Sequence, residues 1–223
     1  MKKLAILLAL LMSCATVPVS HGATDLLREP KDPTDSATSQ LMLLFQRPEA
    51  LPIVGDHTIL FEDGIDSGSV QSLELALDKL AEDRPKEIQI VIDSTGGSIL
   101  AGMRMAKLIE RYPAQVTCTV DGLAASMAMA VLASCDHRQM TERSSLMGHA
   151  GSTAVEGQEN QLRNGAEAIR VLSRQVAAQT VKSSRVSVDE FLEKTAGGLE
   201  WWLAPSEALD RGFVEKVVKT VEY

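Results

Sequence analysis

Glu87-Ile88-Gln89-Ile90-Val91-Ile92-Asp93-Ser94-Thr95-Gly96-Gly97-Ser98 decides how this chain folds. Its first seven residues are the clearest strand in the sequence, dense in β-branched apolar side chains. Two adjacent glycines follow, and Ser98 to Arg111 then reads as a helix. Paired glycines let backbone approach a substrate closely and leave N–H groups free to point at it. Phosphate binding at a helix N-terminus is one alternative use of such a turn. Neither G-x-x-x-x-G-K-[ST] nor G-x-G-x-x-G is present, which argues against a nucleotide site. An ordinary glycine turn is the plain alternative.

The same alternation extends in both directions. Thr58 to Phe61 reads as a strand, and Val70, Leu73, Leu77 and Leu80 recur at helical spacing over roughly 67 to 82. Downstream come a strand at Val116 to Val120, a buried helix at Ala125 to Ala133 and a short strand at Leu146-Met147 that leads into Gly148-His149. Gln158 to Lys182 is a long helix with Leu162, Ile169, Leu172 and Val176 on one face, and a second apolar face at Ala166, Val171 and Ala178. Ser187-Val188-Asp189-Glu190 has the form of a capping box. Gly197-Gly198 turns the chain into Leu199 to Leu203, Pro205 opens a helix that Gly212 closes, and Phe213 to Val218 ends as a strand. Strands alternating with helices imply an α/β fold, a largely parallel sheet covered by helices.

The 223 residues suffice for one domain with a real core, expected here over residues 57–223. The chain is 45% apolar but only 4% aromatic, so Leu, Ile, Val, Ala and Met must build that core. The formal net charge is −8 and no basic cluster exists beyond Lys2-Lys3, which argues against nucleic-acid binding.

The first 22 residues read as a targeting segment. Met1-Lys2-Lys3 is a charged start, and Leu4 to Met12 is apolar but too short for a stable membrane span. Two processing routes compete. Ser20-His21-Gly22 places small residues for signal-peptide cleavage before Ala23, whereas Leu11-Met12-Ser13-Cys14 has the form of a lipobox, with a signal of residues 1–13 and lipidation at Cys14. Either route exports the chain to a bacterial periplasm or envelope, with a membrane partner only if Cys14 is lipidated. Residues 23–56 are polar and Pro-dotted and read as a flexible arm, with a short helix at Ser39 to Gln46. After either cleavage Cys118 and Cys135 are the unmodified thiols. In an oxidising compartment they pair in a disulfide, or they stand as two buried small hydrophobes; both readings stay open.

The chemistry centres on Gly122-Leu123-Ala124-Ala125-Ser126-Met127-Ala128-Met129-Ala130, with His149 23 residues beyond Ser126. A serine where a strand runs into an apolar helix has its backbone fixed by a tight turn. Its hydroxyl is exposed and neighbouring N–H groups are free for an oxyanion. Alone, the window also fits a serine that merely packs or caps.

The order of motifs adds specificity. A strand ending in small-x-Gly-Gly, then Gly-x-Ala-Ala-Ser-Met-Ala, then Met-x-His, then Glu-Ala-x-x-x-Gly resembles the proteolytic subunit of Clp protease, a family of serine peptidases with the repeated β-β-α superhelical ClpP/crotonase-like fold. The resemblance covers about Thr58 to Val218. It implies Ser126 as nucleophile, His149 as general base and Glu200 as the acid, where the family usually has Asp. It also implies an oxyanion hole from the N–H groups of Gly96 and Met127, with Gly97 beside them. Asp189, Glu190 and Glu193 are the fallback carboxylates. An imidazole titrates near neutral pH and can take the serine proton, and a carboxylate fixes its tautomer and offsets its charge. The chain departs from the family at Thr95 and at Gly151-Ser152, where the family usually has Pro, and in its exported leader.

The resulting expectation is an exported serine endopeptidase that needs no metal, cofactor or nucleotide. It would cut peptides or unfolded proteins without ATP and would form a homo-oligomer, a ring being compatible. The alternative is a catalytically inactive scaffold or peptide-binding protein of the same fold. An acyl-CoA enzyme of the crotonase branch lacks its substrate in a periplasm. A serine–lysine membrane peptidase lacks a lysine between Lys107 and Lys182.

Overall fold

In the computed structural model, residues 49–152 and 156–221 are described. The expected targeting segment, Cys14, the helix at Ser39 to Gln46 and most of the polar arm lie outside them. The elements are β1 (Ile53–Val54), β2 (Thr58–Phe61), α1 (Ser67–Glu82), β3 (Glu87–Ser94), α2 (Ile99–Arg111), β4 (Gln115–Ala125), α3 (Met127–Leu132), β5 (His137–Thr141), β6 (Ser145–His149), α4 (Glu159–Val181), α5 (Val188–Lys194), β7 (Glu200–Leu203), α6 (Pro205–Asp210) and β8 (Lys216–Val218).

Eight strands form one sheet in the order β1-β2-β3-β4-β5-β8, with β6 branching from β4 and β7 from β6. All pairings are parallel except β1 with β2 and β6 with β7. The expected α/β class with a largely parallel sheet is what forms. Ile88, Ile90 and Ile92 of β3, with Val116, Cys118 and Val120 of β4, turn into the core against α1, α2 and α3. The opposite parity is polar apart from Val91, which is buried. Gln89 Nε2 and Gln139 Nε2 both donate to Thr119 Oγ1 (2.9 and 2.8 Å), and Thr58 Oγ1 donates to Gln89 Oε1 (3.3 Å). One hydrogen-bonded row thus crosses four strands. Period-2 alternation is the cause: each residue step turns the side chain to the other face.

β4 positions the site. Its first half pairs with β5 (Thr117–Val120 opposite His137–Met140) and its last residues with β6 (Leu123–Ala125 opposite Ser145–Met147). The change of neighbour falls at Gly122, whose φ of 118° is a glycine conformation. A Cβ there would lie 2.6 Å from the Asp93 carboxylate. That carboxylate accepts the Leu123 N–H (2.9 Å), and Ser144 Oγ accepts the Gly122 N–H (3.0 Å). Side chains therefore replace ladder bonds at the fork.

Several expectations are corrected. The fold begins before His57: Leu51 is buried, its N–H donates to the Ser72 carbonyl (3.0 Å), and Ile53-Val54 pair with β2. β4 runs to Ala125 rather than Val120, because β6 takes over as its partner. β5 is a strand that the charged Asp136-His137-Arg138 concealed. The Arg138 guanidinium is buried, donating to the Cys135 carbonyl (2.8 Å) and pairing with Glu215. The capping box at Ser187 is half formed. Ser187 Oγ accepts the Glu190 N–H (3.1 Å), but the Glu190 carboxylate pairs with Arg211 (2.8 Å). Leu162, expected on the packed face of α4, is exposed, because only Val176, Ala177, Thr180 and Val181 of that helix are buried. β8 is confined to Lys216–Val218, since Phe213 and Val214 enter the core instead of the ladder.

The structure joins Cys118 of β4 to Cys135, just beyond α3, with Cα atoms 5.9 Å apart. The bond closes a loop around Ser126. On the chain-entropy relation a loop of this size adds about 3 kcal/mol by restricting the unfolded chain. Thermal melts with and without a thiol reductant check this. The oxidised protein should melt several degrees higher, and Cys118→Ala/Cys135→Ala should melt like the reduced form and ignore the reductant.

Candidate active site

Ser126 stands between the end of β4 and the start of α3 with φ 55° and ψ −120°. Apart from Arg84 it is the only non-glycine with positive φ among the described residues. Such a conformation costs about 1–3 kcal/mol and persists only where the surroundings enforce it. Here three contacts do so. The Ser126 N–H donates to the Met147 carbonyl of β6 (2.7 Å). α3 beyond it is buried along its whole length. Gly96 presses on the turn from β3: a Cβ there would lie 2.5 Å from the Ala125 carbonyl oxygen, 2.8 Å from Met127 N and 2.9 Å from Ser126 Cβ.

The glycine turn takes conformations open to glycine, with φ of 86° at Gly96 and 151° at Gly97. Ile65 clamps it, donating its N–H to the Gly96 carbonyl (2.8 Å) and accepting the Ser98 N–H (2.7 Å). The resemblance implies Gly96 and Met127 as oxyanion donors, with Gly97 beside them. The Gly96 N–H reaches Ser94 Oγ (3.2 Å), whose own hydroxyl donates to the Asp63 carbonyl (2.6 Å). The Gly97 N–H has no such partner among the described residues. Met127 opens α3, where first-turn N–H groups lack intrahelical acceptors. Gly97 and Met127 are therefore among the amides left open at this junction.

His149 closes β6 as a half-buried strand residue rather than a loop histidine. Its Nδ1 lies 2.6 Å from the Ala150 carbonyl oxygen. A carbonyl only accepts, so Nδ1 carries the proton in this bond, and in the neutral tautomer this bond selects it is Nε2 that bears the lone pair. Glu200 sits directly opposite His149 in the antiparallel β6–β7 ladder. Its carboxylate does not bond the imidazole; Oε2 accepts the Trp202 indole N–H (3.0 Å). The fallback carboxylates point elsewhere. Asp189 pairs with Arg174 (3.1 Å), Glu190 with Arg211 (2.8 Å), and Glu193 is exposed. The sheet thus brings Ser126, His149 and Glu200 to the ends of three neighbouring strands.

Alternation on β7 explains why. Trp201 and Leu203 are buried while Glu200 and Trp202 are exposed. Trp201 anchors the strand, its ring 6.1 Å from Phe191, 5.9 Å from Phe213 and 4.8 Å beneath the Arg211 guanidinium. Phe191 in turn fills the space beside Gly148, where a Cβ would lie 2.7 Å from its ring. A groove of about 810 Å³ lined by His57, Gln89, Gln139 and Lys216 among others includes none of the site residues.

This geometry can be compared with known proteins. A sequence model of the family described as Clp protease matches residues 52–221. The chain belongs to the Clp protease family. It is 30% identical over 142 residues to the ATP-dependent Clp protease proteolytic subunit 2 of Bifidobacterium longum, covering 63% of this chain and 68% of that one. It is 28% identical over 167 residues to proteolytic subunit 3 of Rhodococcus jostii, covering 74% and 82%. A solved structure of a ClpP1 mutant from Listeria monocytogenes superposes with a TM-score of 0.66 at 20% identity, over 74% of this chain and 92% of that one. The fold is therefore ClpP-like, and the family is one of peptidase hydrolases.

Sequence reading missed the carbonyls of Met147 and Ala150, the Ser94 hydroxyl and the Trp202 indole. Only the last left a signal, an aromatic two residues from Glu200 and so on the same strand face. Gly96→Ala should cost at least about 2–3 kcal/mol, because its methyl group meets backbone that cannot move. Gly197→Ala has positive φ but nothing within 4 Å, and should cost only about 1–2 kcal/mol. Denaturant midpoints of the two variants check the contrast.

Proposed function

We propose that this protein is a serine endopeptidase that cleaves peptides or unfolded proteins through Ser126, His149 and Glu200. The observation that carries the reading is the forced backbone of Ser126, pinned between Gly96 and the Met147 carbonyl at the mouth of α3. Backbone strain of this kind collects at functional sites, which supports the reading.

The Ser126 hydroxyl attacks the scissile carbonyl carbon and its proton passes to His149 Nε2. The oxyanion is bound by the N–H groups of Gly97 and Met127. His149 then protonates the leaving amine, giving an acyl-enzyme. Water, deprotonated by His149, attacks the acyl carbon and frees Ser126. The Ala150 carbonyl fixes the tautomer this sequence needs, but a neutral carbonyl offsets imidazolium charge less than a carboxylate does. Glu200, opposite in the ladder, supplies that charge.

Export is part of the proposal. Met1-Lys2-Lys3 followed by the apolar Leu4 to Met12 supports it, and so does the Cys118–Cys135 bond, since disulfides persist in oxidising compartments. The relatives are named as ATP-dependent subunits. A periplasm lacks ATP and the chain carries no nucleotide-binding motif, so we take its action to be ATP-independent and its substrates to be already unfolded. The exposed Leu162 and Val171 on α4 support association with further copies of the chain.

The first experiment is labelling of the mature domain by a fluorophosphonate probe. The wild type should label, and Ser126→Ala and His149→Ala should lose labelling by about a thousandfold or more. A folded wild type that fails to label would favour the inactive scaffold. The second is the intact mass of the protein recovered from a bacterial envelope after expression of the full chain. A start at Ala23 or a lipidated Cys14 supports export, and an unprocessed Met1 overturns it.

A further inference from the structure

We propose that Trp202 is a positioning residue, which folds Glu200 back along its own strand so that a long carboxylate can serve a histidine directly across the ladder. The inference rests on the functional reading above and deepens it.

The register sets the problem. His149 and Glu200 are directly opposed on antiparallel strands. Cβ atoms of such a pair lie about 4.5–5.5 Å apart. A short carboxylate suits that gap. Glutamate carries one more methylene and one more rotatable bond, so an extended side chain overshoots an imidazole this close, and an exposed one is free to swing into solvent. Glu200 is exposed and no ion pair holds it among the described residues.

Trp202 answers both difficulties. Residues two apart share a strand face, and the pattern on β7 puts Glu200 and Trp202 outward while Trp201 and Leu203 lock the strand from below. The indole N–H donates to Oε2 at 3.0 Å. The bond draws the carboxylate along the strand, shortens its reach and removes its rotational freedom. One oxygen is occupied by the indole, and Oε1 stays free to face the imidazole as charge develops on the ring, as an electrostatic partner, because the Nδ1–H is held by the Ala150 carbonyl. Indole is a donor only, so it binds the carboxylate in its charged form. Trp202 is half-exposed, so its ring is not required by the core.

The test is a double-mutant cycle read by the rate of fluorophosphonate acylation in the mature domain, with folding of each variant checked by thermal melting. Trp202→Phe keeps an aromatic surface and removes the N–H. In the Glu200 background it should slow acylation about three- to tenfold, in keeping with one partly exposed hydrogen bond to a charged group. In a Glu200→Asp background the same change should have no effect, because the shorter carboxylate needs no tether. Equal slowing in both backgrounds overturns the proposal and makes Trp202 a packing or substrate-contact residue. No slowing, or acceleration, in the Glu200 background also overturns it, the latter making the indole a latch. Labelling of the wild type with any of these results leaves the serine-peptidase reading standing. A wild type that does not label removes that reading, and this one with it.

Discussion

The backbone of Ser126 is the constraint on which the rest of the arrangement depends. A left-handed residue other than glycine is held there against its intrinsic preference. β3 brings the Gly96-Gly97 turn against it, β6 supplies the Met147 carbonyl to its N–H, and α3 buries the chain beyond it. Each of these elements is in turn fixed from outside the site: the glycine turn by Ile65, β6 and β7 by the aromatic cluster of Phe191, Trp201 and Phe213, and α3 by the link from Cys135 to β4. The strain is local, but the support reaches across most of the domain.

Much of this was legible in the sequence, for physical reasons. The strand Glu87 to Asp93 and the helix over residues 67–82 are strongly periodic, and their bounds match to within a residue or so. Motif order along the chain gave the family. What escaped were features set by partners far away in sequence. β5 was hidden because Arg138 looks like a surface residue until Glu215, 77 positions later, gives it a counter-charge. Leu162 looked like core because helical spacing cannot say where the neighbouring surface ends. The half-formed cap at Ser187 fails because Arg211 outcompetes the backbone amide for Glu190.

The site shows the same division. Residue types and spacing singled out Ser126 and His149, and the family resemblance added Glu200. Main-chain groups carry no signature in a sequence, so the roles of the Met147 and Ala150 carbonyls had to come from geometry. The two glycines also divided their work in a way composition could not foretell. Gly96 serves by its lack of a side chain and engages Ser94 with its N–H, whereas Gly97 keeps its amide open.

The fork in β4 has a wider consequence. Before Gly122 the strand has β5 as its neighbour on this edge, and after it β6, which with β7 carries His149 and Glu200, while β3 pairs with both halves on the other edge. The change of neighbour falls at a single glycine, where side chains take the amides of Gly122 and Leu123 while the β3–β4 ladder continues past it with a shift of register. The β6–β7 pair thus joins the sheet through only three residues of one strand, Leu123–Ala125, and its changes fall on that edge alone. A scaffold divided in this way lets its chemistry be revised while its architecture is inherited unchanged.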